Sequence, residues 1–263
     1  MATSLGARSD RLGEARALRT VKGRREQRRF AFEGATLLEE ALAAGFPIGE
    51  IFATAEAYES TPLLRRLDGE GPPVFILSPA AAKSLSDVET PSGIVAVAPV
   101  VLRPVAELLA RGAPLLVLGD LNDPSNAGTL LRSADAFGAG GAAFGRLGVD
   151  PFHPKVVRGA MGAIFRLPVA LTDPHELSSA VASAGLTIFG FAADGDVITD
   201  DRRLACAVIV IGHEKRGLGR WEAICERVLA IPMTGRSESL SAGVAGSIAL
   251  YEAQRANLVK RVS

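Results

Sequence analysis

From Leu115 onward the chain repeats one pattern: a short apolar run, a turn, then apolar residues at helical spacing. The runs are Leu115 to Leu118, Gly141 to Phe144, Thr187 to Phe191, Cys206 to Ile211 and Val228 to Ile231. Runs of this kind between helical stretches are the mark of βαβ units, in which crossover helices cover a parallel sheet. The pattern therefore predicts an α/β fold. In such sheets the ligand sits at the carboxyl ends of the strands. The loops after Leu118, Ile211 and Ile231 are where chemistry is expected.

The chain before Leu115 is less regular. Phe30 to Glu33 alternates like a strand, and Thr36 can N-cap a helix with the stripe Leu37, Leu38, Ala41 and Leu42, stopped by Gly45. Further strands are expected at Glu50 to Ala53, Val74 to Leu77 and Gly93 to Val100, with short helices near Pro62 to Leu67 and Pro79 to Leu85. Pro99, Pro104 and Pro114 surround a short helix between Arg103 and Arg111. The expected organisation is a basic arm over 1–29, a small α/β domain over 30–103 and a parallel-sheet domain over 104–263.

The formal net charge is zero, yet residues 1–29 hold nine basic side chains against three acidic ones, and the rest of the chain carries the offsetting acid. A basic terminal segment supplies phosphate contacts that release counterions from nucleic acid; it can equally be a solvated helical terminus. Arg24, Arg25, Arg28 and Arg29 are its candidate RNA contacts. The acids embedded among them count against a mitochondrial presequence. No apolar run is long enough to span a membrane. Cys206 and Cys225 lack the spacing of a zinc site or a disulfide framework. The sequence reads as that of a cytoplasmic, metal-free protein.

The first loop, GDLNDPSNAG, leads into a helix expected over Ala127 to Phe137, capped by Asn126 or Ser125. Arg132 lies off the apolar stripe of that helix; it is either a surface arginine paired with Asp135 or with the acids of the loop, or a functional cation. The second loop, GHEKRGLG, sets a histidine, a carboxylate and two cations between glycines, which let a backbone approach a ligand closely. It contains neither a dinucleotide fingerprint nor a P-loop. The third loop, PMTGRSE, precedes a helix expected from Ser239 to Val262, with Ser239 as N-cap and Leu240, Val244, Ile248 and Tyr251 as its apolar stripe. Met233 reads as packing.

Taken in order, GDLNDPSNAGTLLRSADAFG, IVIGHEKRGLG and IPMTGRSESLSAGVAGSIALYEAQR resemble the three motifs of the SpoU (TrmH-type) branch of the SPOUT RNA methyltransferases, over residues 115–255. FEGATLLEEALAAGFPIGEIFAT with GIVAVA is similar to the RNA-binding domain that often precedes that catalytic domain. The resemblance implies a C-terminal parallel-sheet SPOUT domain with a trefoil knot, a homodimer, S-adenosylmethionine as cofactor and methyl transfer to a ribose 2′-hydroxyl. It favours 23S ribosomal RNA over transfer RNA as substrate. It also implies that Arg132, Asn126, Glu214 and Ser239 form the catalytic group and that Gly212, Ile231 and Leu240 hold the cofactor. Lys155 and Arg158, in HPKVVRGAMGAIF, become further candidate RNA contacts, or a solvated helix face.

Arginine stays protonated in proteins. Arg132 is therefore expected to grip a phosphate and steady alkoxide charge while the phosphate or a water takes the proton, although the family's arginine has also been proposed as the base. Two positions depart from the family pattern: Ser241 stands where an asparagine is usual, and Ala160 where a serine is common. An RNA-binding protein of the same fold without transfer is thus one alternative. An unrelated α/β enzyme of a small acidic substrate, using Arg132, Arg216 and Arg236, is another.

Overall fold

The computed structural model describes residues 2–6, 9–198, 202–236 and 239–262; Arg8 of the basic segment and Ser237 and Glu238 of the third loop lie outside them. In order, the elements are β1 (Thr3–Ser4), α1 (Asp10–Ala17), α2 (Val21–Gln27), β2 (Arg29–Glu33), α3 (Ala35–Ala43), β3 (Glu50–Thr54), α4 (Ala55–Ser60), α5 (Pro62–Leu67), β4 (Val74–Leu77), α6 (Pro79–Leu85), β5 (Ile94–Pro99), α7 (Val105–Leu109), β6 (Leu115–Leu118), α8 (Pro124–Ala136), β7 (Gly141–Gly145), α9 (Pro154–Gly159), α10 (Ala163–Arg166), β8 (Val169–Thr172), α11 (Pro174–Ala184), β9 (Ile188–Val197), β10 (Val208–Ile211), β11 (Arg227–Ala230) and α12 (Ala242–Val262). Residues up to Val101 with Phe152–Phe165 make one compact unit, and Leu102–Pro151 with the chain from Arg166 makes a second.

The first unit is a mixed sheet in the order β1-β4-β3-β5-β2. The basic segment is not an arm beside it. Leu12, Ala15 and Leu18 recur at helical spacing and pack with Phe52, Leu77, Ala82, Val95 and Val97 in the core. The Arg24 side chain, expected to meet RNA, is only 2% exposed. Its guanidinium donates to the carbonyls of Leu18 at 2.9 Å and Arg19 at 3.2 Å, just past the end of α1, where carbonyls lack intrahelical partners. Arg29 is also structural: it pairs with Glu14 at 2.9 Å and with the buried Glu50 at 3.2 Å, and Arg11 grips Glu50 as well. Arg25 and Arg28 remain exposed.

Thr36 falls inside the first turn of α3, whose N-cap is Gly34. The segment around α9 also departs from the expected boundary. Phe152 packs on Phe30 with ring centroids 4.7 Å apart, and Phe165 on Phe32 at 4.9 Å. These aromatic pairs draw the segment into the first unit. Lys155 and Arg158 of α9 are exposed, the latter 3.4 Å from Asp87.

The second unit is a parallel sheet in the order β11-β9-β10-β6-β7-β8. Each expected strand after Leu115 is present, although β9 runs on to Val197, six residues beyond the expected Phe191; β8, between Pro168 and the Asp173-Pro174 pair, is an additional strand. Ile211 pairs with Leu118, so the first and second loops leave the sheet side by side.

Both long helices begin differently from expectation. The N-cap of α8 is Asp123, whose carboxylate accepts the Ser125 N–H at 2.7 Å, with Pro124 in the first turn. Asn126 therefore lies within the helix, and its amide is available for other partners. Ahead of α12, the hydroxyl that accepts an N–H, from Val244 at 3.3 Å, belongs to Ser241 and not Ser239. Among the described side chains the buried positions of α12 are Gly243, Gly246, Ala249, Leu250, Ala253 and Gln254, whereas Leu240, Val244 and Tyr251 of the expected stripe are exposed. Close approach explains the inversion: a Cβ at position 246 would lie 2.3 Å from Leu130 Cδ2, so only glycine lets α12 settle against α8.

Candidate active site

The carboxyl ends of β9, β10 and β11 enclose a cavity of about 300 Å³. Gly212, Glu214, Ile231, Ser239 and Leu240, drawn from two separate loops, all line it, as do Phe191, Leu229 and Met233. Gly212 is required by its neighbours: the loop doubles back, and a Cβ there would lie 2.2 Å from the Gly217 carbonyl oxygen. His213 and Gly217 close this turn with reciprocal backbone hydrogen bonds of 2.8 and 2.9 Å.

Glu214 links the second loop to the first. Its carboxylate accepts the backbone N–H of Asp123 at 3.0 Å, that of Asn122 at 3.4 Å and the side-chain amide of Asn126 at 3.2 Å. Burial by itself pushes the Glu214 carboxyl up, but these donors and its own backbone N–H outweigh burial and hold its pKa below the usual glutamate range. The group is an ionised tie with its lone pairs occupied. The oxygen of the Asn126 amide accepts the Gly243 N–H at 3.3 Å. One asparagine side chain thus joins α8, the second loop and the first turn of α12.

Arg132 is exposed and makes no hydrogen bond or ion pair among the described residues. No hydrogen bond or ion pair joins it to Asp135, whose Oδ2 is instead held by Arg166 at 2.8 and 3.0 Å. Arg132 and Asn126 share α8 but do not line the cavity.

Beneath the first loop lies a network that the motifs do not announce. Asp120 sits at φ 58°, in the left-handed region, and is 8% exposed. It accepts Arg220 Nε at 2.7 Å and Nη2 at 3.1 Å, Trp221 Nε1 at 3.0 Å and the Leu147 N–H at 3.3 Å. Partners about a hundred residues apart leave no local pattern. Desolvation raises the Asp120 pKa, but the hydrogen bonds from Arg220 and Trp221 and the arginine charge prevail and lower it. A carboxyl whose folded pKa lies below its unfolded value of about 3.9 stabilises the fold above that value, and the contribution is lost as pH falls through the folded pKa. Asp120→Asn should therefore flatten the fall of Tm between neutral pH and pH 3; parallel profiles for both proteins would count against an ionised Asp120.

Among the described residues no group of three or more His, Cys, Asp or Glu side chains could hold a metal, and no helix is long and apolar enough to cross a membrane.

Residues 113–251 match the SpoU rRNA methylase family and residues 10–96 the MRM3-like substrate binding domain. The second match begins inside the basic segment, in accord with its helices packing into the first unit. The chain is 28% identical over 249 residues to the 23S rRNA (guanosine(2553)-2′-O)-methyltransferase RlmP of Bacillus subtilis, covering 93% of this chain and 96% of that protein. It is 36% identical over 156 residues to an uncharacterized tRNA/rRNA methyltransferase of a Mycobacterium species, where it covers 57% of this chain and 50% of the relative. The crystal structure of the SpoU methyltransferase AviRb from Streptomyces viridochromogenes in complex with AdoMet superposes with a TM-score of 0.85 at 27% identity, over 95% of this chain and 99% of that one. The chain belongs to the SpoU rRNA methylase family.

Proposed function

We propose that this protein transfers a methyl group from S-adenosylmethionine to a ribose 2′-hydroxyl of 23S ribosomal RNA. The observation that carries the reading is the cavity at the strand ends, tied through Glu214 and Asn126 to the helix bearing Arg132, which is exposed and unpaired among the described residues. The cavity fits the cofactor in kind: its volume is at the lower end for small-molecule sites, its walls are largely apolar as a purine requires, and Lys215 suits the carboxylate of the tail. RlmP and AviRb, by their names and descriptions, support the reaction and the cofactor.

When bound, S-adenosylmethionine supplies an electrophilic methyl group on a sulfonium. The ribose oxygen forms the new C–O bond as the S–C bond breaks, and the hydroxyl proton must leave. Arg132 cannot accept it while protonated. Its role is to hold the phosphate beside the target ribose, orient the hydroxyl and stabilise alkoxide charge as it develops, leaving the phosphate or a water to take the proton. Glu214 and Asn126 are positioning residues that fix the loops against α8. Ser239, on the cavity wall, shapes the site. Arg25, Arg28, Lys155 and Arg158 of the first unit are the proposed phosphate contacts.

A second copy of the chain is proposed as partner. The exposed apolar side chains of α12, Val244 and Tyr251, with Leu240 just before it, support a homodimer through that face. The loop after β10 through α12 is proposed to close the family's trefoil knot, and the enzyme to act in the cytoplasm, where its RNA is. Incubation with labelled S-adenosylmethionine tests the function: 23S rRNA from a strain lacking the gene should take up methyl groups and bulk tRNA should not. Uptake by neither would favour the RNA-binding alternative suggested by Ser241 and Ala160.

A further inference from the structure

Strand β9 does not run evenly beside β11. Gly190 pairs with Val228, yet the next residue of β11, Leu229, faces Asp196. Residues 191–195 are therefore looped out from β11, and a bulge of this kind re-aims side chains next to a site. The return is made at Gly195, where a Cβ would lie 2.8 Å from the backbone carbons of Val228 and Leu229. A glycine there lets the strand close again immediately after Asp194.

Asp194 lines the cavity and is exposed, with no hydrogen bond or ion pair among the described residues. The other acids nearby are committed: Asp196 pairs with Arg227 at 3.3 Å, and Glu214 is occupied by the first loop. The bulge thus sets in the cavity wall an exposed acid with no hydrogen bond or ion pair among the described residues.

Sheet order says which part of the cofactor it would meet. Loops one and two leave β6 and β10, and β9 flanks β10 on the side away from β6. Lys215, on the loop after β10, lines the cavity and would attract the carboxylate of the amino-acid tail, which would leave the nucleoside to the side of β9 and β11. Two vicinal hydroxyls donate well to one carboxylate, which only accepts.

On the proposed reading of S-adenosylmethionine as cofactor, we propose that Asp194 accepts the two hydroxyls of its ribose and so selects the nucleoside end of the ligand. The test is calorimetric titration of the wild-type protein, Asp194→Asn and Asp194→Ala with S-adenosylmethionine and with 5′-methylthioadenosine, which keeps the ribose and lacks the amino-acid tail. Asp194→Ala should weaken both ligands by roughly 10- to 100-fold, in keeping with hydrogen bonds to a charged group, with Asp194→Asn in between. Tm should hold in both variants, since the side chain is exposed. Weakening confined to S-adenosylmethionine would place the acid at its sulfonium or ammonium charge and overturn the assignment, as would unchanged affinity for both ligands. A wild-type protein that binds neither would remove the cofactor reading itself, and this proposal with it.

Discussion

Arg132→Ala should lower the rate of methyl transfer by about 10²- to 10³-fold, the cost of removing one preorganised charge from a transition state. The same substitution should leave folding and cofactor binding almost untouched. Its side chain is exposed, makes no hydrogen bond or ion pair among the described residues and does not line the cavity. Surface positions of this kind shift stability by no more than about 0.5 kcal/mol. Arg132→Lys should recover part of the rate, because an ammonium keeps the charge but loses the planar two-point grip on phosphate. Single-turnover rates, Tm and cofactor Kd measured on the same preparations separate these effects. Transfer by Arg132→Ala at near the wild-type rate would remove the arginine from the chemistry.

The largest loss of stability is expected at Trp221. Its ring is fully buried in the core of the second unit with Val117, Ala143 and Val210. The space it fills is kept open by glycines: a Cβ on Gly119 would lie 3.0 Å from the ring, and one on Gly145 2.9 Å. Both glycines stand at the carboxyl ends of neighbouring strands, so the indole forms the floor under the first loop. Its N–H also supplies one of the donors to Asp120. Trp221→Ala should cost about 3–5 kcal/mol through lost burial and an unfilled cavity. Trp221→Phe retains most of the packing but withdraws a donor from a nearly buried carboxylate, and should cost about 1–3 kcal/mol. Chemical denaturation gives both values; a loss below about 1 kcal/mol for the alanine variant would mean that the floor collapses without strain.

The strand ends and the three loops were legible because uninterrupted apolar runs in a parallel sheet need few assumptions, and because the ligand side of such a sheet is fixed by chain direction. Those loops hold Gly212, Glu214, Ile231, Ser239 and Leu240, which the resemblance to the SpoU family singles out and which line one cavity. The helix starts were less legible. Asp123, Ser125 and Asn126 are all good N-caps by residue type, and only the position of Pro124 in the first turn decides among them. On α12 the large apolar residues suggested the buried face, but its closest approaches to α8 fall at Gly243 and Gly246, whose value lies in what they leave out.

Charge was the least reliable guide. Nine cations in 29 residues resemble a solvated arm, yet Arg24 is buried on the carbonyls that follow α1, and Arg11 and Arg29 clasp a buried glutamate. Such pairings join residues with no periodic relation, as do those between Asp120 and Arg220 or across the bulge that exposes Asp194.

Alkaline hydrolysis of treated RNA examines the central claim most directly, because cleavage of a phosphodiester needs the free 2′-hydroxyl beside it. After incubation of the protein with S-adenosylmethionine and 23S rRNA from a strain lacking the gene, one bond should become resistant to alkali, and Arg132→Ala should leave it cleavable. Methyl incorporation with every bond still cleaved would place the methyl on a base, contradicting transfer to ribose.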